Sequence, residues 1–227
     1  MSYFAFTDTH TTVPAVPACG YKTVFDNGKG PNTGGMGAYS PPVFFSAELG
    51  RQIDETIMNP VVKALQIESR PYEGILYGGL MITGEGPKVL EFNARFGDPE
   101  TQVILPRLKT DLIDIMLAIA NKQLMLTNIE WSNDASVGVV LASGGYPGDF
   151  KTGFPITGLD DIDKDVLVFH AGTKTGKTMG EILTSGGRVL TVVATGKTLA
   201  EARKKVYANV ARIHFEGCHY RRDIAAF

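Results

Sequence analysis

The segment Lys88-Val-Leu-Glu-Phe-Asn-Ala-Arg-Phe-Gly-Asp-Pro-Glu100 carries the residue types that chemistry on phosphates requires. A strand sends alternate side chains to opposite faces. Leu90 and Phe92 are therefore expected to turn toward a core, while Glu91, Asn93 and, just beyond, Arg95 turn the other way. A carboxylate and an amide oxygen at i and i+2 lie about 7 Å apart at Cα and can converge on one hard, octahedral cation. Mg²⁺ is commonly held by one or two such groups, with substrate phosphates filling the remaining positions. Arg95 beside them suits a phosphate or the charge that develops on a transferring phosphoryl group. The same alternation also describes an amphipathic hairpin strand whose polar face is simply wet, and local pattern leaves both readings open.

A second stretch is Gly28-Lys-Gly-Pro-Asn-Thr-Gly-Gly-Met-Gly-Ala-Tyr-Ser-Pro41. Repeated glycines let backbone N–H groups turn inward and bind an anion. The strand–GxGxxG–helix context of a dinucleotide site is missing. An ordinary flexible loop is the alternative, although Asn32, Met36 and Tyr39 among the glycines are unusual for a linker. Near the end, Tyr220-Arg-Arg-Asp-Ile224 brings Arg221 and Arg222 together, either for a ribose phosphate or for a surface salt-bridge network. Gly172-Thr-Lys-Thr-Gly-Lys-Thr178 imitates a P-loop but has one intervening residue too few, and reads as a basic turn between strands. Cys218-His219 has no second pair to complete a zinc site and reads as a packed thiol beside a surface imidazole.

Positioning these groups falls to elements that the periodicity makes visible. Met1–Phe6 and Thr11–Val16 read as strands joined by a turn at Asp8-Thr9-His10, so the chain opens inside a hairpin, as a piece of a longer enzyme would. Residues 17–42 read as one long functional loop. Ser46 caps a helix that runs to Ile67 and is kinked at Pro60. Tyr72–Thr83 and Lys88–Asn93 form a hairpin, and Asp98-Pro99 starts a short helix with Asp98 as its cap. Another helix spans Thr110 or Asp111 to about Asn121. Strands then follow at Ser136–Ala142, Val166–Ala171 and Arg188–Thr195, and the capping box Thr198-Leu-Ala-Glu201 opens a last helix. A boundary near residue 127 divides an α+β part, 1–127, from a small β-rich part, 128–227.

The chain has 227 residues, 44% of them hydrophobic, which excludes intrinsic disorder. Its 22 basic and 24 acidic residues argue against a nucleic-acid coat. Apolar runs such as Val137–Ala142 are far too short to span a membrane, and no leader-like segment is visible. Two cysteines cannot make a disulfide scaffold, so a soluble cytoplasmic protein is expected.

Several stretches together resemble a known family. Residues 30–41, Gly74-Ile-Leu-Tyr-Gly-Gly-Leu-Met81 and residues 88–100 look like phosphoribosylamine–glycine ligase, the glycinamide ribonucleotide synthetase of purine synthesis. Val139–Gly148, Phe169–Thr173, Gly186–Leu190 and Tyr220–Ile224 extend the match in order. The resemblance implies half of an ATP-grasp fold, an antiparallel sheet with helices, followed by a β-rich carboxy-terminal domain. It implies ATP, glycine and 5-phosphoribosylamine as substrates, joined through a glycyl phosphate, and Mg²⁺ (or Mn²⁺) as cofactor. It also implies an amino-terminal half that is not in this chain.

Residue by residue, the resemblance places Glu91 and Asn93 at the metal and Arg95 and Asp98 at the phosphate and amine end. It puts Asn32, Thr33, Gly34 and Gly35 in the loop that cradles substrate. No acid lies in residues 74–82, so the metal would lean on nucleotide phosphates. The family usually carries Gln-Asp-His-Lys-Arg before the glycine loop. This chain has Ala18-Cys-Gly-Tyr-Lys-Thr23, which keeps Lys22 as a basic candidate for ATP or acyl phosphate and replaces the acid and histidine by Gly20 and Tyr21. Competing readings are another ATP-grasp ligase or carboxylase, and a non-catalytic interaction or regulatory domain derived from an ATP-grasp half.

Overall fold

The opening residues fold as their apolar pattern predicts. In the computed structural model, which describes residues 1–227, every residue of the first strand is buried. In chain order the elements are β1 (Ser2–Asp8), β2 (Thr12–Pro14), β3 (Cys19–Gly20), β4 (Thr23–Phe25), β5 (Lys29–Asn32), β6 (Gly37–Ser40), α1 (Ala47–Ile53) and α2 (Asn59–Ile67). Then come β7 (Glu73–Thr83), β8 (Gly86–Asn93), α3 (Glu100–Ile104), α4 (Leu112–Ala120) and β9 (Ala135–Ala142). β10 (Val166–His170), β11 (Thr173–Thr175), β12 (Ile182–Thr184), β13 (Arg188–Gly196) and α5 (Leu199–Val210) complete the chain. These elements divide into two compact units, one of residues 1–19, 41–97 and 107–133, the other of residues 20–40, 98–106 and 134–227.

The first unit is built on a four-stranded antiparallel sheet in the order β2-β1-β7-β8. Tyr3, Ala5, Leu76 and Leu80 on one face meet Ile53, Ile57, Met58 and Val62 of the helical layer. The helix expected from Ser46 to Ile67 is α1, one wide π turn over Asp54–Met58, and α2. Pro60 explains the turn: it has no N–H to donate and its ring crowds the preceding turn, so the chain opens to i→i−5 bonding before it. Ser46 accepts from Leu49 N at 3.1 Å, as its capping role requires. On the other face Phe4 packs against Tyr77 with ring centroids 5.0 Å apart.

The expected burial of Leu90 and Phe92 is corrected. Leu90 is 61% exposed and Phe92 38%. β8 is the outer strand of the sheet, and Lys88–Phe92 is exposed throughout. Register shows a further reason: Leu80 faces Val89 and Gly79 faces Glu91, so Leu90 is the extra residue of a β-bulge and falls out of the alternation.

The second unit contains a five-stranded sheet in the order β10-β13-β9-β6-β3, two hairpins, β11-β12 and β4-β5, and two helices. All of β9 is buried. α5 inserts Ala202, Val206 and Val210 into the core, and its cap Thr198 accepts from Glu201 N at 3.2 Å. α3 lays Val103 where a Cβ on Gly138 would otherwise sit. The single long loop expected over 17–42 is also corrected. It contains the β4-β5 hairpin and β6, a fully buried strand paired with β9. Its glycines hide the period of two that would have announced a strand. The basic turn read at 172–178 is the β11-β12 hairpin.

Candidate functional site

In the first unit, Glu91 pairs with Gly79 and Asn93 with Tyr77, with no bulge between the two pairs. Cross-strand partners point the same way, so both side chains share the sheet face of Tyr77, opposite the helical layer. Glu91 is exposed and Asn93 half-buried. A Cβ on Gly79 would stand 2.9 Å from Glu91 Cγ, so this glycine leaves room for the carboxylate side chain to lie across β7. Arg95, just past the strand end, is exposed and donates from Nη1 to Phe96 O at 2.9 Å. One carboxylate and one amide carbonyl are hard oxygen donors that fit Mg²⁺ chemically. No group of three His, Cys, Asp or Glu side chains converges anywhere in the chain to cage a cation. A cation at Glu91 and Asn93 would therefore need oxygens from a bound ligand.

In the second unit, the glycine loop does not present the open row of amides expected of it. Thr33 N donates to Lys22 O at 2.7 Å, Gly34 N to Tyr146 Oη at 3.1 Å, Gly35 N to Thr33 Oγ1 at 2.9 Å and Met36 N to Tyr21 O at 2.8 Å. The N–H groups of residues 33–36 are thus satisfied within the protein. Its glycines serve close packing instead. Gly35 has φ +117° and a Cβ there would overlap the Pro99 ring, while a Cβ on Gly34 would stand 3.0 Å from the Arg188 guanidinium carbon. Lys22 and Asn32 lie exposed on the flanks of this shelf.

Asp98 is not the cap of α3, which starts from Pro99 without a side-chain cap. Its carboxylate is instead gripped by Arg188, with Nη1 at 3.1 Å from Oδ1 and Nη2 at 3.0 Å from Oδ2, and by Gln102 Nε2 at 3.1 Å. A charge-assisted pair of parallel bonds is stronger than the cap it replaces. The structure thus brings Gly34, Gly35 and Asp98 together around Arg188, while Thr33 holds the N–H of Gly35. No motif marks Arg188; its one signal is a guanidinium behind Gly186-Gly187 at the head of a largely apolar strand.

Arg221 and Arg222 separate in use. Arg221 is 3% exposed and all three of its guanidinium nitrogens donate. Nε and Nη2 donate to Asp223 at 2.7 and 2.6 Å, Nη1 donates to Thr23 O and Oγ1 at 3.0 and 2.7 Å, and the group lies over the Tyr21 ring. The hydrogen bonds of Arg221 hold Asp223 well below the usual carboxylate range, at about 2. Arg222 is exposed and lines a cavity of about 480 Å³ with Phe25, Asp26, Lys29 and Tyr220. His219 Nε2 lies 2.9 Å from Val24 O, and burial pushes the neighbouring Cys218 thiol up to about 12.

Residues 1–101 match the model of the ATP-grasp (A) domain of phosphoribosylglycinamide synthetase, and residues 136–227 match the model of its C domain. The chain belongs to the phosphoribosylglycinamide synthetase family. Among its relatives, the phosphoribosylamine–glycine ligase of Caldanaerobacter subterraneus subsp. tengcongensis is 49% identical over 225 residues, which are 99% of this chain and 53% of that protein. The trifunctional purine biosynthetic protein adenosine-3 of Gallus gallus is 49% identical over 226 residues, 22% of its length. The crystal structure of phosphoribosylamine–glycine ligase from Thermotoga maritima superimposes with a TM-score of 0.87 at 36% identity, covering 99% of this chain and 55% of that one. The chain spans about half the length of the curated single-enzyme relatives it matches. A biotin carboxylase subunit of pyruvate carboxylase, at 14% identity and a TM-score of 0.64, shares the fold. The fold is thus an α+β ATP-grasp half. Within the phosphoribosylglycinamide synthetase frame, Glu91, Asn93, Arg95 and Asp98 lie in the stretch matched to the A domain, and Arg188, Arg221 and Arg222 in the stretch matched to the C domain.

Proposed function

We propose that this chain supplies the carboxy-terminal part of a phosphoribosylamine–glycine ligase. In this reading residues 1–127 complete the ATP-grasp domain and 128–227 form the carboxy-terminal domain. The reaction transfers the γ-phosphoryl of ATP to the glycine carboxylate. The amine of 5-phosphoribosylamine then attacks the acyl carbon, phosphate departs, and glycinamide ribonucleotide and ADP remain. No side chain need act as nucleophile, so positioning and charge neutralisation are the protein's task. The observation that carries the proposal is the pair Glu91 and Asn93, side by side on one sheet face in a chain of this family. These two would hold Mg²⁺ (or Mn²⁺), which when bound neutralises charge on the phosphates. Arg95 would meet phosphoryl oxygens, Lys22 and Asn32 would face substrate from the shelf, and Arg222 the ribose phosphate. Thr33, Gly34 and Gly35 shape that shelf, and Arg221 holds Thr23, the ladder partner of Asn32. Asp98 would lie near the amine end, already neutralised by Arg188. The two free cysteines suit a reducing cytoplasm. The test is product formation from ATP, glycine and phosphoribosylamine. The chain alone is expected to yield none, and the chain supplied with the amino-terminal half of the Caldanaerobacter relative is expected to turn over. Failure of the combined halves, both folded, would sink the reading.

A further inference from the structure

Arg188 opens β13, and its side chain is 22% exposed. From that place Nη1 reaches Gly34 O at 3.1 Å, Gly35 O at 3.4 Å, Asp98 O at 3.2 Å and Asp98 Oδ1 at 3.1 Å, while Nη2 reaches Asp98 Oδ2 at 3.0 Å. One planar group therefore ties two segments, 34–35 and 98, that are remote in sequence. The loop's amides are occupied by Lys22, Tyr146, Thr33 and Tyr21, so its carbonyls are left to face the guanidinium. Gly34 leaves the space that the guanidinium occupies. Lysine has one charged centre and cannot make this fork of bonds. The pairing also neutralises Asp98, which would otherwise repel phosphate-bearing substrates.

We infer that Arg188 is a positioning residue of the proposed ligase site, acting through Asp98 and the carbonyls of Gly34 and Gly35. It touches no reacting atom. It fixes the shelf that carries Lys22 and Asn32 and cancels the Asp98 charge. The inference rests on the ligase reading for its chemistry and on the hydrogen bonds alone for its mechanics, so the two are tested separately. In the chain itself, Arg188→Gln should speed hydrogen exchange at Gly34, Gly35 and Met36 by about tenfold or more while amides of β9 keep their protection. In the combined halves, the same change should lower kcat by about 10²-fold, as for a misplaced positioning group, with KM for ATP little changed. Free guanidinium should recover part of that loss, which a general loss of stability would not allow. Arg188→Lys keeps the charge and serves if the glutamine variant does not fold; it should loosen the loop as well. Unchanged loop exchange in either variant would overturn the strut. A loosened loop with normal kcat would overturn the positioning role. Combined wild-type halves without turnover would overturn the ligase chemistry and the positioning role with it, while the exchange measurement would still decide the strut.

Discussion

Replacing Arg221 by Met separates a structural arginine from a ligand-binding one. The guanidinium is 3% exposed and donates four hydrogen bonds, two to the Asp223 carboxylate and two to Thr23. Methionine fills much of the volume but leaves Asp223 with its bond from Asn27 N at 2.8 Å as the main compensation and strips Thr23 O of its donor. Breaking a buried pair from one side costs about 3–5 kcal/mol, and the 22% exposure of the Asp223 side chain argues for the lower end, about 3 kcal/mol at pH 7. Acid should shrink the difference, because the Asp223 share of it titrates and the Thr23 share does not. Asp223 titrates at about 2 in the folded protein, and its unfolded value lies near the ordinary ~3.9. A depressed carboxylate stabilises the fold fully above its unfolded pKa. That contribution is lost as pH falls from about 4 through about 2. Urea unfolding of wild type and Arg221→Met at pH 7, 4 and 2.5 should therefore show a gap that narrows with acid. Arg221→Met combined with Asp223→Asn should recover part of the gap at pH 7. A loss under about 1 kcal/mol at pH 7, or a gap independent of pH, would refute this account of the pair.

Two further outcomes follow from packing and burial. Gly35→Ala should destabilise the chain by about 2–4 kcal/mol in urea, because a positive φ and an overlap with the Pro99 ring add, and neither neighbour is a flexible side-chain tip; a change below about 0.5 kcal/mol would show that the turn can relax. Cys218, its thiol pushed up to about 12 by burial, should resist iodoacetamide at pH 8 in the native chain and react on unfolding, as mass spectrometry would show; rapid native alkylation would contradict the burial.

The sequence carried those parts of the fold whose pattern is local. Ser46 and Thr198 announced their helices as caps, Pro60 its break, and residues 72–93 their hairpin. That Glu91 and Asn93 share a face was legible because three consecutive ladder pairs preserve alternation. Leu90 was not, because a bulge is set by register against β7, which one strand's pattern does not contain. β6 stayed hidden because Gly35 and Gly37 are chosen by contacts with Pro99 and Ile224. Asp98 looked like a cap because Asp-Pro usually is one; a partner 90 residues away decides otherwise. Arg188 and Arg221 show the same limit, since hydrogen bonds across 154 and 198 residues leave no spacing to read.

The most direct test of the ligase account is turnover of the Glu91→Ala variant in the combined halves as Mg²⁺ is titrated. Loss of one of two protein oxygens at a cation that neutralises phosphoryl charge should cost several kcal/mol in barrier, about 10³-fold in rate, with the exposed position leaving the fold intact. Raised Mg²⁺ should restore only a fraction of that rate. Near-normal turnover of Glu91→Ala at limiting Mg²⁺ would contradict the account.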